Sequence, residues 1–539
     1  MILKRLSCIL FFYLLINVEC EHFTALTDLN KAIQNTISLA DDLEFYVEIE
    51  EKRLNEIKEL IKGIRKLDIS LDQSEGYLGD PAKALNIVMK MGGNWNKRIE
   101  DLVNPESGQV KDILQEIENK LVTMIDMDDW KGSIDSILRL QTTYNIQAMN
   151  IALGRIAEHT SSEKIPAKNC YHIGNRAYDL RKFEIAAQWF ETAIYLLEKK
   201  LDFDNESLMK DDEVSLEVIY DILSFAYGRQ GLYKKAKGAL EEVLRQNPFN
   251  SQAEKNLQFY IDELDKGIGT KDEIIRVKRD LNIYEQENSN YEALCRDEDL
   301  FEKPDDKHLI CDYYVPDPFF LYQPIKQEVL YDDPRIVYWY DIISDEEIQG
   351  IQELAKPRLR RATVKNPVTG VLEFADYRIS KSAWLPNELT ELTRRINARI
   401  ERMTGLSIES AEDLQVVNYG MGGHYAPHFD FGRKREKDAF EAQFGNRIAT
   451  LIYYMSDVKA GGFTAFNRIG AKVKPKKGGA AFWYNLQPSG DGDLRTRHAA
   501  CPVILGSKWV MNKWFHERGQ EFKRKCSLDR GVVETEDGF

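Results

Sequence analysis

The chain has 539 residues, of which 43% are hydrophobic and 30% charged, and its formal net charge is −15 at pH 7. That length calls for about three or four domains, and the composition excludes both a disordered chain and a multi-span membrane protein. The acidic balance argues against nucleic acid as a partner, because neutralising phosphates needs a basic surface. A peptide, a small molecule or another protein fits it.

Residues 1–20 read as a secretory signal peptide. Lys4 and Arg5 give a positive start, Ile9 to Ile16 is apolar except for Tyr13, and Val18 and Cys20 are small residues at the cleavage positions. The apolar run is too short to span about 30 Å of hydrocarbon, and no later run reaches that length. A soluble chain in a secretory lumen is expected. The last four residues, Glu536 to Phe539, are not a retention tetrapeptide, so retention is expected to come from a partner.

From Leu26 to Ile64 apolar residues recur at 3–4 spacing, with charged residues between them. This predicts a coiled coil, or a long amphipathic helix folded back on its own domain. Asp80-Pro81 marks a further helix start, and Met91-Gly92-Gly93 a loop. Residues 21–160 are therefore expected to form an all-helical domain used for self-association.

Residues 165–265 carry an internal repeat. Gly174, Ala186, Phe190 and Ala193 fit one tetratricopeptide-type helix pair, and Ser224, Tyr227, Gly231, Ala236, Leu240, Val243 and Pro248 fit a second. The polar insert between them holds the sequon Asn205-Glu206-Ser207, a glycosylation site on a surface loop. Two repeats and the helix after them make a concave module that binds an extended peptide, or else a spacer.

Residues 266–334 are charged and lack periodicity, so they read as a linker subdomain. Between 335 and 525 the texture changes to short strands separated by glycine turns: Ile336 to Tyr340, Gln415 to Tyr419, Ile448 to Tyr454 and Ala480 to Tyr484. That pattern suggests a barrel or jelly roll, followed by a tail at 526–539. The fold class is thus a multidomain α + β chain. With Cys8 and Cys20 removed, five cysteines remain. Pairing by proximity in an oxidising compartment gives Cys295–Cys311 and Cys501–Cys526, with Cys170 free.

Four of the eight histidines lie between residues 424 and 516. In His428-Phe429-Asp430 an extended backbone turns the imidazole and the carboxylate to one face, so they can share a metal. With His498 they make the two-histidine, one-carboxylate triad of non-haem Fe(II) oxygenases, which leaves coordination positions open. Lys508 supplies what such a site needs to hold the far carboxylate of a chelating keto acid: one fixed cation.

The run Asn418-Tyr419-Gly420 to Phe431 resembles the catalytic core of the collagen prolyl 4-hydroxylase alpha subunit. So do Gly461 to Phe466, Gly479 to Tyr484, His498, and Lys508-Trp509 through His516. The order of parts is similar over essentially the whole chain: signal peptide, helical dimerisation region, tetratricopeptide-like peptide-binding module, and a C-terminal double-stranded β-helix, or jelly roll. The resemblance implies Fe(II) on His428, Asp430 and His498. It implies 2-oxoglutarate on Lys508 with help from the Tyr419 hydroxyl, and a substrate groove at Tyr425, Arg447, Trp514 and His516. Asp221 and Asn256 match the family's peptide module, whereas Ile222, Phe225 and Phe259 stand where several of its tyrosines would be, which costs hydroxyl hydrogen bonds.

It further implies ascorbate as reductant, protein disulfide isomerase as second subunit of an α2β2 tetramer, residence in the endoplasmic reticulum lumen, and 4-hydroxylation of proline in X-Pro-Gly sequences. Alternatives are a prolyl hydroxylase of another secreted client, a non-catalytic collagen-binding helper, and a zinc hydrolase. The intact triad and Lys508 disfavour the helper. The lack of a general base beside the triad disfavours the hydrolase.

Overall fold

A computed structural model of the chain describes residues 51, 54–65, 79–92, 99, 102, 127–201, 214–270, 282–300, 309–365, 371–433 and 443–527. The signal segment, most of the heptad stretch, Asn205 and the tail beyond residue 527 lie outside the described residues. The chain forms two compact units, residues 1–68 with 96–122 and residues 69–95 with 123–539. In the first, residues 54–65 are helical and Leu54, Ile61 and Ile64 are exposed. Among the described residues no helix is long and apolar enough to cross a membrane.

The second unit begins with helix α1 (Pro81–Met91), which starts where the sequence predicts it. Asp80 caps it by accepting from the Ala82 and Lys83 amides, and Pro81 occupies the first turn, where its missing N–H costs nothing. Helix α2 (Met127–Tyr144) follows, and then the repeat helices α3 (Ala167–Asp179), α4 (Phe183–Glu198), α5 (Leu216–Arg229), α6 (Tyr233–Gln246) and α7 (Ser251–Asp265). The expected crossing residues sit at the contacts. A Cβ on Gly174 would lie 2.6 Å from the Phe190 ring, and Ala186, Ala193, Ser224, Ala236, Leu240 and Val243 are buried. Helix α2 is tied to the repeats by the Asp135–Arg176 pair at 2.8 Å and by the Trp189 indole donating to Gln141 at 2.7 Å.

Helix α8 (Ile283–Cys295) starts in a capping box between Asn282 and Glu285. Beyond it the chain builds two facing antiparallel sheets. The strands, in chain order, are β1 (Cys311–Tyr314), β2 (Ile325–Tyr331), β3 (Ile336–Tyr340), β4 (Arg360–Arg361), β5 (Arg378–Ile379), β6 (Lys381–Leu385), β7 (Leu414–Tyr419), β8 (His424–His428), β9 (Arg447–Tyr454), β10 (Thr464–Phe466), β11 (Ala471–Val473), β12 (Ala480–Tyr484), β13 (His498–Ala500) and β14 (Lys508–His516). The major sheet runs β1-β2-β3-β12-β9-β14-β7-β6-β4, and the minor sheet β11-β10-β13-β8-β5.

Two helices, Asp345–Ala355 and Glu391–Thr404, cover the outer face of the major sheet, packing Ile348, Ile351, Ile396, Ile400 and Met403 on Leu414, Val416, Leu451, Met511 and Phe515. The inner face turns Val417, Tyr419, Tyr454, Trp483 and Val510 toward Phe466 and Val473 of the minor sheet. This is the predicted jelly roll, with neighbouring residues of each central strand alternating between the two cores.

Two expectations are corrected. Residues 266–334 are not a separate linker. Strands β1 and β2 pair into the major sheet beside β3, and helix α8 packs on β10 of the minor sheet. The cysteines are not joined by proximity in the chain either. The disulfide is Cys295–Cys501, across 206 residues with Cα atoms 5.5 Å apart, while Cys311 and Cys526 are exposed and Cys170 is buried. The reason lies in packing. Cys295 ends the helix that shares a small core with Ala465 and Ala499, and Cys501 directly follows β13. Cys311 opens β1 at the far edge of the other sheet.

Non-reducing peptide mapping is expected to return a Cys295–Cys501 bridge, with Cys311 and Cys526 alkylated in the folded protein and Cys170 only after unfolding. A peptide joining Cys295 to Cys311 refutes this pairing.

Candidate metal centre

His428 closes β8 and His498 opens β13, and the two residues stand directly opposite each other in the antiparallel pair. Asp430 follows two residues after His428. The His428 Nε2 lies 3.6 Å from Asp430 Oδ1 and the His498 Nε2 3.5 Å from Asp430 Oδ2. One ligand atom from each lies within 4.8 Å of the others, the only such group of three among the described residues.

Each imidazole is oriented by its outer nitrogen. The Nδ1 of His428 lies 2.8 Å from the Ala426 carbonyl and that of His498 3.0 Å from the Thr496 carbonyl. Donation to a carbonyl fixes the tautomer and aims the Nε2 lone pair inward, as a metal ligand needs. The Thr450 hydroxyl donates to Asp430 at 2.8 Å and accepts in turn from the Asn485 amide at 2.9 Å. Burial pushes His498 down to about 4 and keeps it neutral. Burial opposes ionisation of Asp430, but the two imidazoles and Arg447 hold its carboxyl well below the usual range. A neutral His498 imidazole and an ionised Asp430 carboxylate are forms that bind a metal, and both inward Nε2 atoms face that carboxylate, so the residues present fit one.

The same cavity is lined by Lys508, Tyr419, Tyr425 and Trp514. Lys508 opens β14 and is paired in register with Tyr419, the last residue of β7. The residue is only 2% exposed, and its ammonium lies 5.5 Å from the Tyr419 ring centre and 5.8 Å from that of Tyr454. Among the described residues no carboxylate pairs with it, and burial lowers it to about 7. A buried cation without a counter-ion is costly unless a ligand brings one, so this end of the cavity is built for an anion.

At the other side the Tyr425 ring stacks on His428 at 3.6 Å. Arg378, which the sequence reading missed, lines the cavity as well. It stands 4.8 Å over the Tyr425 ring and donates to Gln415 at 3.1 Å, and its Nε has no partner. Trp514 also leaves its indole N–H without a partner.

Arg447 and His516 differ from the expected groove residues. Arg447 stacks 4.1 Å over Trp514, but its guanidinium is committed to Glu412, and His516 Nε2 lies 3.1 Å from the same carboxylate. They stand behind the wall rather than in it. Burial opposes ionisation of Glu412, but Arg447 and His516 hold it down to about 2. Neither Arg378 nor Glu412 sits in a motif, and only their burial together reveals them.

The residues expected to bind peptide lie elsewhere, on α5 and α7. Phe225 and Phe259 are exposed, and Asp221 and Asn256 are half-buried. Asp221, Phe225 and Gly228 form one stripe of α5, and Gly228 faces the Tyr260 hydroxyl so closely that a Cβ would meet it at 2.0 Å. The Asn256 amide nitrogen is buried without a hydrogen-bond partner.

Family models match three stretches of the chain: the N-terminal region of the prolyl 4-hydroxylase alpha subunit at residues 25–158, the prolyl 4-hydroxylase peptide-substrate-binding domain at 167–266, and the 2OG-Fe(II) oxygenase superfamily at 414–516. Prolyl 4-hydroxylase subunit alpha-1 of Gallus gallus is 40% identical over 526 residues, covering 94% of this chain and 99% of that protein. Subunit alpha-2 of Caenorhabditis elegans is 37% identical, covering 96% and 95%. Among solved structures, a viral collagen prolyl hydroxylase from Paramecium Bursaria Chlorella virus-1 aligns with 33% of this chain and 94% of its own at 25% identity and a TM-score of 0.28, too low to carry an argument.

Removing the Glu412 carboxylate leaves a largely buried guanidinium without its carboxylate, so Glu412→Gln is expected to cost about 1–3 kcal/mol of stability at neutral pH. Because the folded value lies below the ordinary 4.5, this contribution is present above pH 4.5 and fades as the pH falls toward about 2. Thermal unfolding of wild type and variant should therefore converge on acidification. A gap that stays constant down to pH 3 contradicts the assignment.

Proposed function

The chain belongs to the prolyl 4-hydroxylase alpha-subunit family, and on that premise we propose how its residues divide the work. It is a 2-oxoglutarate-dependent dioxygenase that 4-hydroxylates peptidyl proline in collagen-like X-Pro-Gly sequences, using Fe(II) and 2-oxoglutarate, with ascorbate typical of the family. His428, Asp430 and His498 would hold the iron. When bound, the iron would supply the oxidising chemistry in which O2 gives one oxygen atom to the hydroxyl that replaces a proline C4 hydrogen and the other to succinate, as 2-oxoglutarate loses CO2.

The protein's own residues do the rest. Lys508, aided by the Tyr419 hydroxyl, neutralises the distal carboxylate of 2-oxoglutarate at the closed end of the cavity. Tyr425 and Trp514 present ring faces to the proline, and Arg378 presents a guanidinium at the same opening. The Arg447–Glu412–His516 network keeps Trp514 from turning. The packed apolar walls exclude water from the reacting atoms. The observation that carries this reading is a largely buried triad sharing one cavity with a buried lysine that no carboxylate pairs with among the described residues.

The repeat module would select proline-rich peptide, because a preformed polyproline II helix loses little entropy on docking and the exposed Phe225 and Phe259 offer stacking faces. A client other than collagen remains a second reading, favoured by those phenylalanines. Self-association through the N-terminal helices is supported by the exposed Leu54, Ile61 and Ile64. Pairing with protein disulfide isomerase and residence in the endoplasmic reticulum lumen rest on family membership.

Replacing His428, Asp430 or His498 by Ala should abolish peptide-dependent decarboxylation of 2-oxoglutarate while the fold persists. Near-normal turnover in any of the three overturns the metal assignment.

Lys508→Ala should weaken 2-oxoglutarate by tens to thousands of fold, the equivalent of about 2–5 kcal/mol, with much less effect on iron. The wild-type affinity should also fall as the pH rises above about 7, because the unliganded ammonium is lost there. Lys508→Arg, which stays charged, should bind more weakly but lose that pH dependence. Titration of 2-oxoglutarate between pH 6 and 9 reads both effects.

Phe225→Ala should raise the KM for long (Pro-Pro-Gly)n substrates several-fold and leave that for a short peptide unchanged, since only the long substrate can reach the module. Equal effects on both lengths argue that the module is a spacer.

A further inference from the structure

The back of the H-F-D segment is held by an element that lies well outside the oxygenase motifs. Helix α8 presents Glu287, which is 5% exposed and sits between two guanidiniums. Arg468 Nε lies 2.7 Å from one carboxylate oxygen, and the Arg497 guanidinium pairs with the other. Arg497 immediately precedes His498 and donates to the carbonyl of Pro427, which immediately precedes His428, at 3.1 Å. Arg468 and Arg497 also stand 5.4 and 5.8 Å from the ring centre of Phe429, the residue between His428 and Asp430. The Asn467 amide bonds the backbone carbonyl of Glu287 at 3.3 Å, which fixes the helix against the strand end that carries Arg468.

Resting on the reading of His428, Asp430 and His498 as the iron site, we infer that Glu287 is a positioning residue for that site. It has no contact with the metal ligands themselves. It acts through Arg497, whose side chain spans the gap between the two histidine-bearing strands, and through Arg468, which with Arg497 fixes the Phe429 ring. Both arginines are largely buried, so the one carboxylate both compensates their charge and sets where they point. Groups that orient metal ligands from behind typically change metal affinity by about 10–100-fold when removed.

The test is Co(II) titration of the full-length apo protein with 2-oxoglutarate present, well below the unfolding temperature, together with the ratio of 2-oxoglutarate decarboxylated to proline hydroxylated. Asp430→Ala is the control: if it binds Co(II) like wild type, the reading of the iron site itself fails. With that control silent, Glu287→Gln is expected to weaken Co(II) about tenfold and to raise the decarboxylation ratio, because a misplaced triad turns over cosubstrate without product. Glu287→Asp should recover most of the affinity.

Arg497→Lys should reproduce the Gln phenotype, since an ammonium cannot meet Glu287 and reach the Pro427 carbonyl together. It also carries the test if Glu287→Gln does not fold. Wild-type Co(II) affinity and coupling in folded Glu287→Gln or in Arg497→Lys overturns the inference, even if the unfolding temperature has dropped.

Discussion

The pairing of β8 with β13 is the constraint on which the site depends. It sets His428 directly across from His498, and a slip of one residue would turn one imidazole to the opposite face. The register shifts between Tyr425 and His428, so the ladder is irregular just before the first ligand. Such a bulge re-aims side chains at the cost of local pairing. Here the cost is offset by side chains: both Nδ1 atoms find carbonyls, and Asp430 finds the Thr450 hydroxyl. The site is a small region where backbone pairing has been exchanged for side-chain hydrogen bonds.

Charge burial follows from the same geometry. Lys508, Lys513, His516 and Asn512 all lie on β14, every residue of which is buried because the strand runs through the middle of the major sheet. Two of these charges are treated differently. Lys513 faces the helix-covered side and donates to Asn387 at 2.7 Å, a structural use of its ammonium. Lys508 faces the cavity with aromatic rings around it. Burial alone does not make a lysine functional. What separates the two is whether the fold has already supplied a polar partner.

Much of this was legible in the sequence, because the chemistry rests on short-range patterns. The short apolar and aromatic runs of β3, β7, β9 and β12, the H-x-D spacing and the small residues at helix crossings are each local signals. The misreadings share a different cause. Cys295 and Cys311 are near neighbours in the chain, yet the first ends a helix on the minor sheet and the second begins the far edge of the major sheet. The charged stretch before residue 334 hid β1 and β2, because an edge strand with an exposed face, as in Cys311–Tyr314, lacks the apolar run that marks a central one. Arg378, Glu412 and Glu287 are single charged residues in ordinary surroundings. Their importance comes from partners distant in sequence, which no spacing rule reports.

The strand β14 also acts as a rigid rod between the two ends of the cavity. From Lys508 to Trp514 is six residues of extended chain, about 20 Å, with hydrogen-bonded neighbours on both sides. On the proposed roles of Lys508 and Trp514, the anchor for the small cosubstrate and the platform for the large substrate would be carried on one stiff piece of backbone. On the same assignment, a change in the peptide accepted would come from residues contributed by other elements, such as Arg378 and Tyr425, or from the helical module. The separation between cosubstrate end and peptide end is a fixed length of the machine.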